Sequence, residues 1–368
     1  MAEPLRELHE RGVTNSVLAV DPIYHRRRKA NRDFPAEWIR YPQVPGIYGL
    51  SSAGKFLGPI LANRVRSIHR DFPVSVIHAH AALPCGSAAA YLSRRLGIPF
   101  VVTIHGLDVF NSCFQRGIAA GWRFEASLKV YKSAHRVICI SEKVRRSLTD
   151  AMGTGVVGEV VYNGADPSLF APALSASTSF DPAPAEVSPP TILAVGNLLP
   201  IKGHDLLLQS VLRLKDSHPR LQCRFIGEGS EQQRLARLAK DWGIDDRLHF
   251  LGRRSRAEVA EAMRECTVFA LPSRYEGLGC VYLEAMACAR PVIACYGQGI
   301  DEVIQHKTNG WLIPVNGLEE LTQGLNRLLN SAELRAQIGE RARQTIVDKF
   351  TLSNQAEDLM KIYREVAQ

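Results

Sequence analysis

Short apolar runs alternate with helix-length segments along most of this chain, and that alternation constrains its fold more than any other feature. The runs at 16–20 (SVLAV), 74–80 (VSVIHAH), 99–106 (PFVVTIHG), 136–141 (RVICIS) and 158–164 (GEVVYNG) are apolar without a period of two. Strands covered on both faces of a parallel sheet have this pattern. Between them lie helical segments such as GSAAAYLSRRLG and SEKVRRSLTDAM, the second with Ser141 placed to cap its first turn. At 172–190 the texture changes to PALSASTSFDPAPAEVSPP, which has no apolar period and reads as a linker. The alternation then resumes at 191–195, 221–227, 248–252, 267–273 and 291–295. Two doubly wound parallel α/β domains are predicted, with ligands beyond the carboxyl ends of the strands. Two such domains facing one another would enclose a cleft.

With 368 residues, 46% hydrophobic and 22% charged, the chain has the length and balance of two globular domains. No apolar run approaches the ~18 residues of a membrane-spanning helix, and the charged start MAEPLRELHERG lacks the apolar core of a secretory signal. A cytoplasmic protein is expected. The eight cysteines form no C-x-x-C pair, and Cys280, Cys288 and Cys295 read as small buried hydrophobes rather than zinc ligands. The net charge of +8 is unevenly placed: residues 1–70 carry 12 Lys/Arg against 6 Asp/Glu, including RRRKANR from Arg26. Two readings stand for that run, a solvated loop or peripheral attraction to an anionic membrane. Nucleic acid is not expected as a partner, because no aromatic-interleaved basic platform, zinc finger or helix-turn-helix accompanies the charge.

The second half carries the chemistry. TILAV runs into GNLLPIKGHDLLLQSV, which sets Gly196, Asn197, Lys202 and Gly203 in the loop before a helix. Free amides, the helix dipole and a fixed cation together favour an anion there; a surface lysine beside a capping glycine is the plain alternative. FIGEGSE ends the next strand in a turn at Gly227 and Gly229. TVFALPS then delivers the chain at Ser273, RYEGLG turns, and the helix CVYLEAMACAR starts near Gly279. Glu276 falls in the turn, beside the amides of Leu278, Gly279 and Cys280, and Glu284 lies about one and a half turns into the helix. At 3.6 residues per turn Glu284 returns to the loop's side. Carboxylates accept from adjacent hydroxyls, as on a sugar ring or a ribose, and the intervening amides suit a diphosphate. A solvated helix residue is one alternative for Glu284, opposed by apolar neighbours Leu283, Ala285, Met286 and Ala287. A glycosidase acid pair is another, supported only by there being two carboxylates.

The E-x7-E pair formed by Glu276 and Glu284, followed by EAMACARPVIA, resembles family 4 of the retaining glycosyltransferases. So do GNLLPIKG, FIGEGSE, FLGR and GQGIDEVIQHKTNGWLIPV across nearly all of 190–350, and VIHAH, TIHGLD, ICISE and VVYNGADPSLF earlier. The resemblance implies a GT-B fold of two Rossmann-like domains facing across a cleft. An acceptor-side domain would span 1–171, a linker 172–190 and a nucleotide-sugar domain 191–350, with the helix at 351–368 packing back on the first domain. It implies transfer of a sugar from a UDP- or GDP-sugar to a saccharide or lipid-linked acceptor, as in bacterial cell-surface polysaccharide or glycolipid synthesis. By the same resemblance Glu276 would touch the transferred sugar, Glu284 the ribose and Lys202 the leaving diphosphate. Gly196, Asn197, Gly227, Arg253, Leu278, Gly279 and Cys280 would complete the donor site. His105, in TIHG, would lie by the anomeric carbon, with His80 and Asp108 on the acceptor side; taken alone, His105 reads equally as a satisfied buried histidine. No convincing D-x-D signature appears, so no obligatory metal or other cofactor is expected.

Three features depart from the pattern of the family that the chain resembles. Asn197 stands where most relatives carry an arginine beside the diphosphate, leaving Arg274, Arg253 and Arg254 as replacement cations. Gln298, in GQGIDE, stands where a second glycine is usual, in a loop implied to face the donor sugar. The chain opens on what resembles the helix after the family's first strand, so one central strand of the first domain and its glycine loop are expected to be missing. A second reading therefore stays open, a catalytically impaired GT-B-like protein that binds a nucleotide sugar without turnover.

Overall fold

A computed structural model describes residues 2–23, 36–42, 51–106, 118–173 and 189–368. The chain divides into two compact units, residues 1–163 with 352–368, and residues 164–351. The basic run from Arg26, Asp108 and most of the linker lie outside the described residues.

The first unit opens with helix α1 (Ala2–Glu10), strands β1 (Val17–Pro22) and β2 (Ala36–Tyr41), and helix α2 (Ser51–Asp71). It continues through β3 (Ile77–His80), α3 (Ser87–Leu96), β4 (Phe100–Ile104), α4 (Ile118–Ser133), β5 (Arg136–Cys139), α5 (Glu142–Met152) and β6 (Gly158–Val160). Strand β4 is buried along its whole length, as its continuous apolar run predicts. Ser141 caps α5 by accepting from the amide of Val144. The strands form two parallel sheets, β1-β2 and β3-β4-β5-β6. Among the described residues β1 pairs only with β2 and β3 only with β4.

The second unit contains β7 (Thr191–Val195), α6 (His204–Leu214), β8 (Gln222–Ile226), α7 (Gln232–Asp241), β9 (Leu248–Phe250) and α8 (Arg256–Glu265). It closes with β10 (Val268–Ala270), α9 (Cys280–Ala287), β11 (Val292–Cys295), β12 (Trp311–Ile313), α10 (Leu318–Asn330) and α11 (Ala332–Lys349). Its sheet is parallel with order β12-β11-β10-β7-β8-β9. The winding reverses between β7 and β10, and at such a switch point the loops beyond the strand ends part to leave a crevice. Strands β7, β10 and β11 are buried throughout.

The segment from Gly164 to Phe170 packs with the second unit. Local contacts hold it there. Asp166 accepts from the amides of Ser168 and Leu169, which turns the chain. Phe170 is then fully buried, with the Arg256 guanidinium 4.8 Å from its ring centroid, and its carbonyl accepts from Arg343. The last helix, α12 (Leu352–Val366), joins the first unit, where Ala356, Leu359 and Ile362 share a core with Leu8, Val101, Ile138 and Val161. Among the described residues no helix is long and apolar enough to cross a membrane.

Candidate active site

At the switch point of the second unit, the loop after β7 and the loop after β10 meet. Lys202 ends a short 3-10 turn, and its Nζ lies 2.5 Å from Glu276 Oε2, with both side chains largely buried. Ser273 Oγ donates to the same carboxylate oxygen at 3.3 Å. Buried Tyr282 donates its hydroxyl to the Leu271 carbonyl at 2.6 Å and also reaches Ser273, so the end of β10 is tied to the first turn of α9. The predicted cation and the predicted sugar-side carboxylate are therefore neighbours.

Glu284 is 4% exposed and accepts from Arg256 Nη1 at 2.7 Å. The apolar neighbours of Glu284 bury it, and Arg256, at the start of α8, supplies the countercharge. Sequence reasoning missed Arg256. Its only signal is a cation at a helix start, which says nothing of what it meets 28 residues later. The amides of Leu278 and Gly279 meet no protein acceptor among the described residues. That leaves N–H donors between the two carboxylates, with Gly279 at the N-terminus of α9.

The remaining donor-side candidates are distributed around this edge. Gly196 follows β7, its amide donating to the Ile226 carbonyl, and Gly227 follows β8, its amide donating to Gly252. Asn197 is exposed and its side chain meets no protein partner among the described residues. Of the replacement cations, Arg274 is committed elsewhere. It holds Asp205 through two bonds of 3.0 and 2.9 Å and also reaches Asn316 and the Pro200 carbonyl. Burial opposes ionisation of Asp205, but the bonds and charge of Arg274 prevail and hold its carboxyl below the usual range. Arg274 thus braces the lysine loop. Arg253 faces Glu228 at 3.5 Å and Arg254 faces Glu258 at 3.4 Å, all well exposed. Beside Lys202, His204 is buried with neither ring nitrogen bonded. Burial and then the Lys202 charge pull its pKa down to about 4, so it adds no charge at neutral pH. Burial pushes the thiols of Cys288 and Cys295 up to about 11 and about 12, as inert hydrophobes. No group of three metal-ligating side chains occurs among the described residues.

In the first unit, a histidine column runs along the ends of β3 and β4. His80 Nδ1 and His105 Nε2 are 2.9 Å apart, so one donates and the other accepts. His78 stacks on His80 with centroids 4.6 Å apart. It bonds Tyr363 at 2.5 Å and Thr103 at 2.7 Å. Sequence reasoning named His80 and His105 but missed His78. Its signal was the H-x-H spacing, which puts both rings on one face of a strand. Burial lowers the pKa of all three, taking His78 to about 4.

This depression links folding to pH. The folded column stays neutral where an unfolded imidazole already takes a proton near 6.5, so the unfolded chain binds more protons between about 4 and 6.5. Stability is fully present above about 6.5 and falls as pH drops through that window. Urea melts of the wild type should lose about 2 kcal/mol more than His78→Gln melts between pH 7 and pH 4.5; parallel curves would show that His78 does not titrate this way.

A doubly wound parallel domain with a lysine, one part-buried and one buried carboxylate, and open amides at its switch point has the features of a class of α/β domains suited to phosphorylated ligands. Family models agree. Residues 177–345 match the glycosyl transferases group 1 and residues 2–169 match glycosyltransferase family 4. The D-inositol 3-phosphate glycosyltransferase of Saccharomonospora viridis is 30% identical, over 79% of this chain and 70% of its own. The alpha-D-kanosaminyltransferase of Streptomyces kanamyceticus is 27% identical, over 98% and 97% respectively. Among solved structures, Anabaena HepE in complex with UDP and glucose superposes with a TM-score of 0.72 at 22% identity, covering 90% of this chain and 86% of that one. The chain belongs to glycosyltransferase family 4 and has the GT-B fold.

Proposed function

We propose that the chain transfers a sugar, with retention of anomeric configuration, from a UDP- or GDP-sugar to a saccharide or lipid-linked acceptor in cell-surface polysaccharide or glycolipid synthesis. The observation that carries this reading is the Lys202–Glu276 pair beside the open amides of Leu278 and Gly279. A diphosphate can take the ammonium and the amides, and the released carboxylate can take sugar hydroxyls. Glu284, oriented by Arg256, serves the ribose, and His105 the transferred sugar.

Breaking the bond between the anomeric carbon and the diphosphate oxygen leaves positive charge on the sugar and negative charge on the departing phosphate. The Lys202 ammonium and the fixed amides stabilise that negative charge as it develops. The acceptor oxygen bonds the anomeric carbon on the face the phosphate leaves, and its proton passes to a phosphate oxygen. Lys202 and the amides meet the leaving group directly, so no divalent ion is required by this scheme.

Titration calorimetry with UDP, GDP, UDP-glucose and GDP-mannose in EDTA tests the reading, with proton spectra following the anomeric signal. Saturable binding of one nucleotide series, with transfer or hydrolysis giving an α-configured first product from an α-linked donor, is expected. Binding without either reaction would favour the impaired binder. No binding of any of the four to folded protein would end the donor-site reading for them.

A further inference from the structure

Gln298 lies in the loop after β11, against the turn that carries Glu276. It is 7% exposed, and its Oε1 accepts from the backbone amide of Glu276 at 2.8 Å. The next residue completes the contact, since the Gly299 amide donates to the Glu276 carbonyl at 3.1 Å. Both backbone polar groups of Glu276 are therefore held by residues 298 and 299. The approach is close: a Cβ on Gly299 would lie 1.8 Å from the Gly277 carbonyl oxygen. The loop is further fixed by Asp301, whose carboxylate accepts from the Gly297 amide. A glycine at 298 would leave the Glu276 amide without this acceptor.

The bond also settles which way the side-chain amide faces. An N–H can only be met by the oxygen, so the nitrogen of Gln298 is the end turned away from Glu276. That nitrogen has no acceptor among the described residues. The nitrogen is not among the buried side-chain atoms left without a partner, so it reaches the surface of the site and is open to an accepting oxygen.

We infer that Gln298 is a positioning residue for Glu276 and that its amide N–H pair is held for an oxygen of the donor sugar. The second half rests on the donor-site reading above; the first does not. A glycine at 298 would offer a ligand only backbone, whereas Gln298 adds a side-chain donor. Sugars differ in where they present an accepting oxygen, so Gln298 selects among donors rather than serving the diphosphate that all of them share.

Amide hydrogen exchange on the ligand-free full chain tests the positioning. Gln298→Met keeps the length but removes the acceptor, and the Glu276 amide should exchange at least tenfold faster while the thermal midpoint stays within a few degrees. Gln298→Glu restores an accepting oxygen and should restore slow exchange. Equal rates in the wild type and Gln298→Met, or no rescue by Gln298→Glu, would overturn the positioning role. The ligand role is read from the Gln298 side-chain NH2 resonances, assigned by their loss in Gln298→Met. They should shift on adding UDP-glucose or GDP-mannose and stay in place with UDP or GDP. Shifts equal for nucleotide and nucleotide sugar would overturn that role. If none of the four binds, the donor-site reading falls and takes the ligand role with it, while the exchange rates still decide the positioning.

Discussion

Lys202→Ala should fold normally and lose two to three orders of magnitude in turnover. Removing one preorganised donor to a developing anion typically costs ~2.7–4 kcal/mol of barrier, which is about 100- to 1000-fold in rate. Three features of this site place Lys202 toward the top of that range. Asn197 brings no charge, Arg274 is spent on Asp205, and Arg253 is exposed and already faces a carboxylate. Lys202 therefore carries most of the cationic stabilisation available at the switch point. The fold should survive because the lysine loop is braced independently, by Arg274 through Asp205 and the Pro200 carbonyl. Since the phosphate gains charge as the bond breaks, kcat should fall more than the affinity for donor. Lys202→Arg should recover part of the loss, because it restores charge but not a compact ammonium. Near-normal turnover by folded Lys202→Ala would remove Lys202 from the leaving-group role.

How much of this was legible in the sequence depends on the range of the interaction. Strands covered on both faces announce themselves by composition alone, and β4, β7 and β11 lie where their apolar runs predict. Strand β2 escaped because its residues Glu37, Trp38 and Arg40 are exposed, so it has no continuous apolar run. Strand β12, Trp311–Ile313, falls within GQGIDEVIQHKTNGWLIPV and was not read as a strand. The glycine turns and the E-x7-E spacing were readable because they are local. Side-chain partners 22 to 74 residues apart were not: Gln298 with Glu276, Arg256 with Glu284, Arg274 with Asp205 and Lys202 with Glu276. Spacing can put a charged residue at a strand end, but only the crossing of loops decides which opposite charge it meets. That is why Arg274 read as a free cation and proved to be a brace. It is also why Gln298 read only as a departure from a glycine pattern.

Gly203→Ala should cost the second unit about 2–5 kcal/mol, with ~1–2 from forcing a Cβ into left-handed backbone and ~1–3 from overpacking. Gly203 has φ +69°, and a Cβ there would lie 2.1 Å from the Pro272 carbonyl oxygen. A carbonyl at the end of β10 cannot swing aside as a flexible side chain could, so the lysine turn must move instead. Gly252 supplies the control, because it has nearly the same φ, +67°, and a Cβ there would meet nothing within 4 Å. Gly252→Ala should therefore show the backbone strain alone, about 1–2 kcal/mol. The difference between the two variants in denaturant melts isolates the contact with Pro272. It also has a functional reading, since Gly203 follows Lys202 directly and any shift of the turn separates Nζ from Glu276. A displacement of ~1 Å costs on the order of 100-fold in a preorganised site. Gly203→Ala should accordingly lose turnover even at temperatures where it remains folded, while Gly252→Ala keeps it. Equal stability losses in the two variants would show that the turn yields without strain, and that Lys202 is not held by the close packing of its loop against β10.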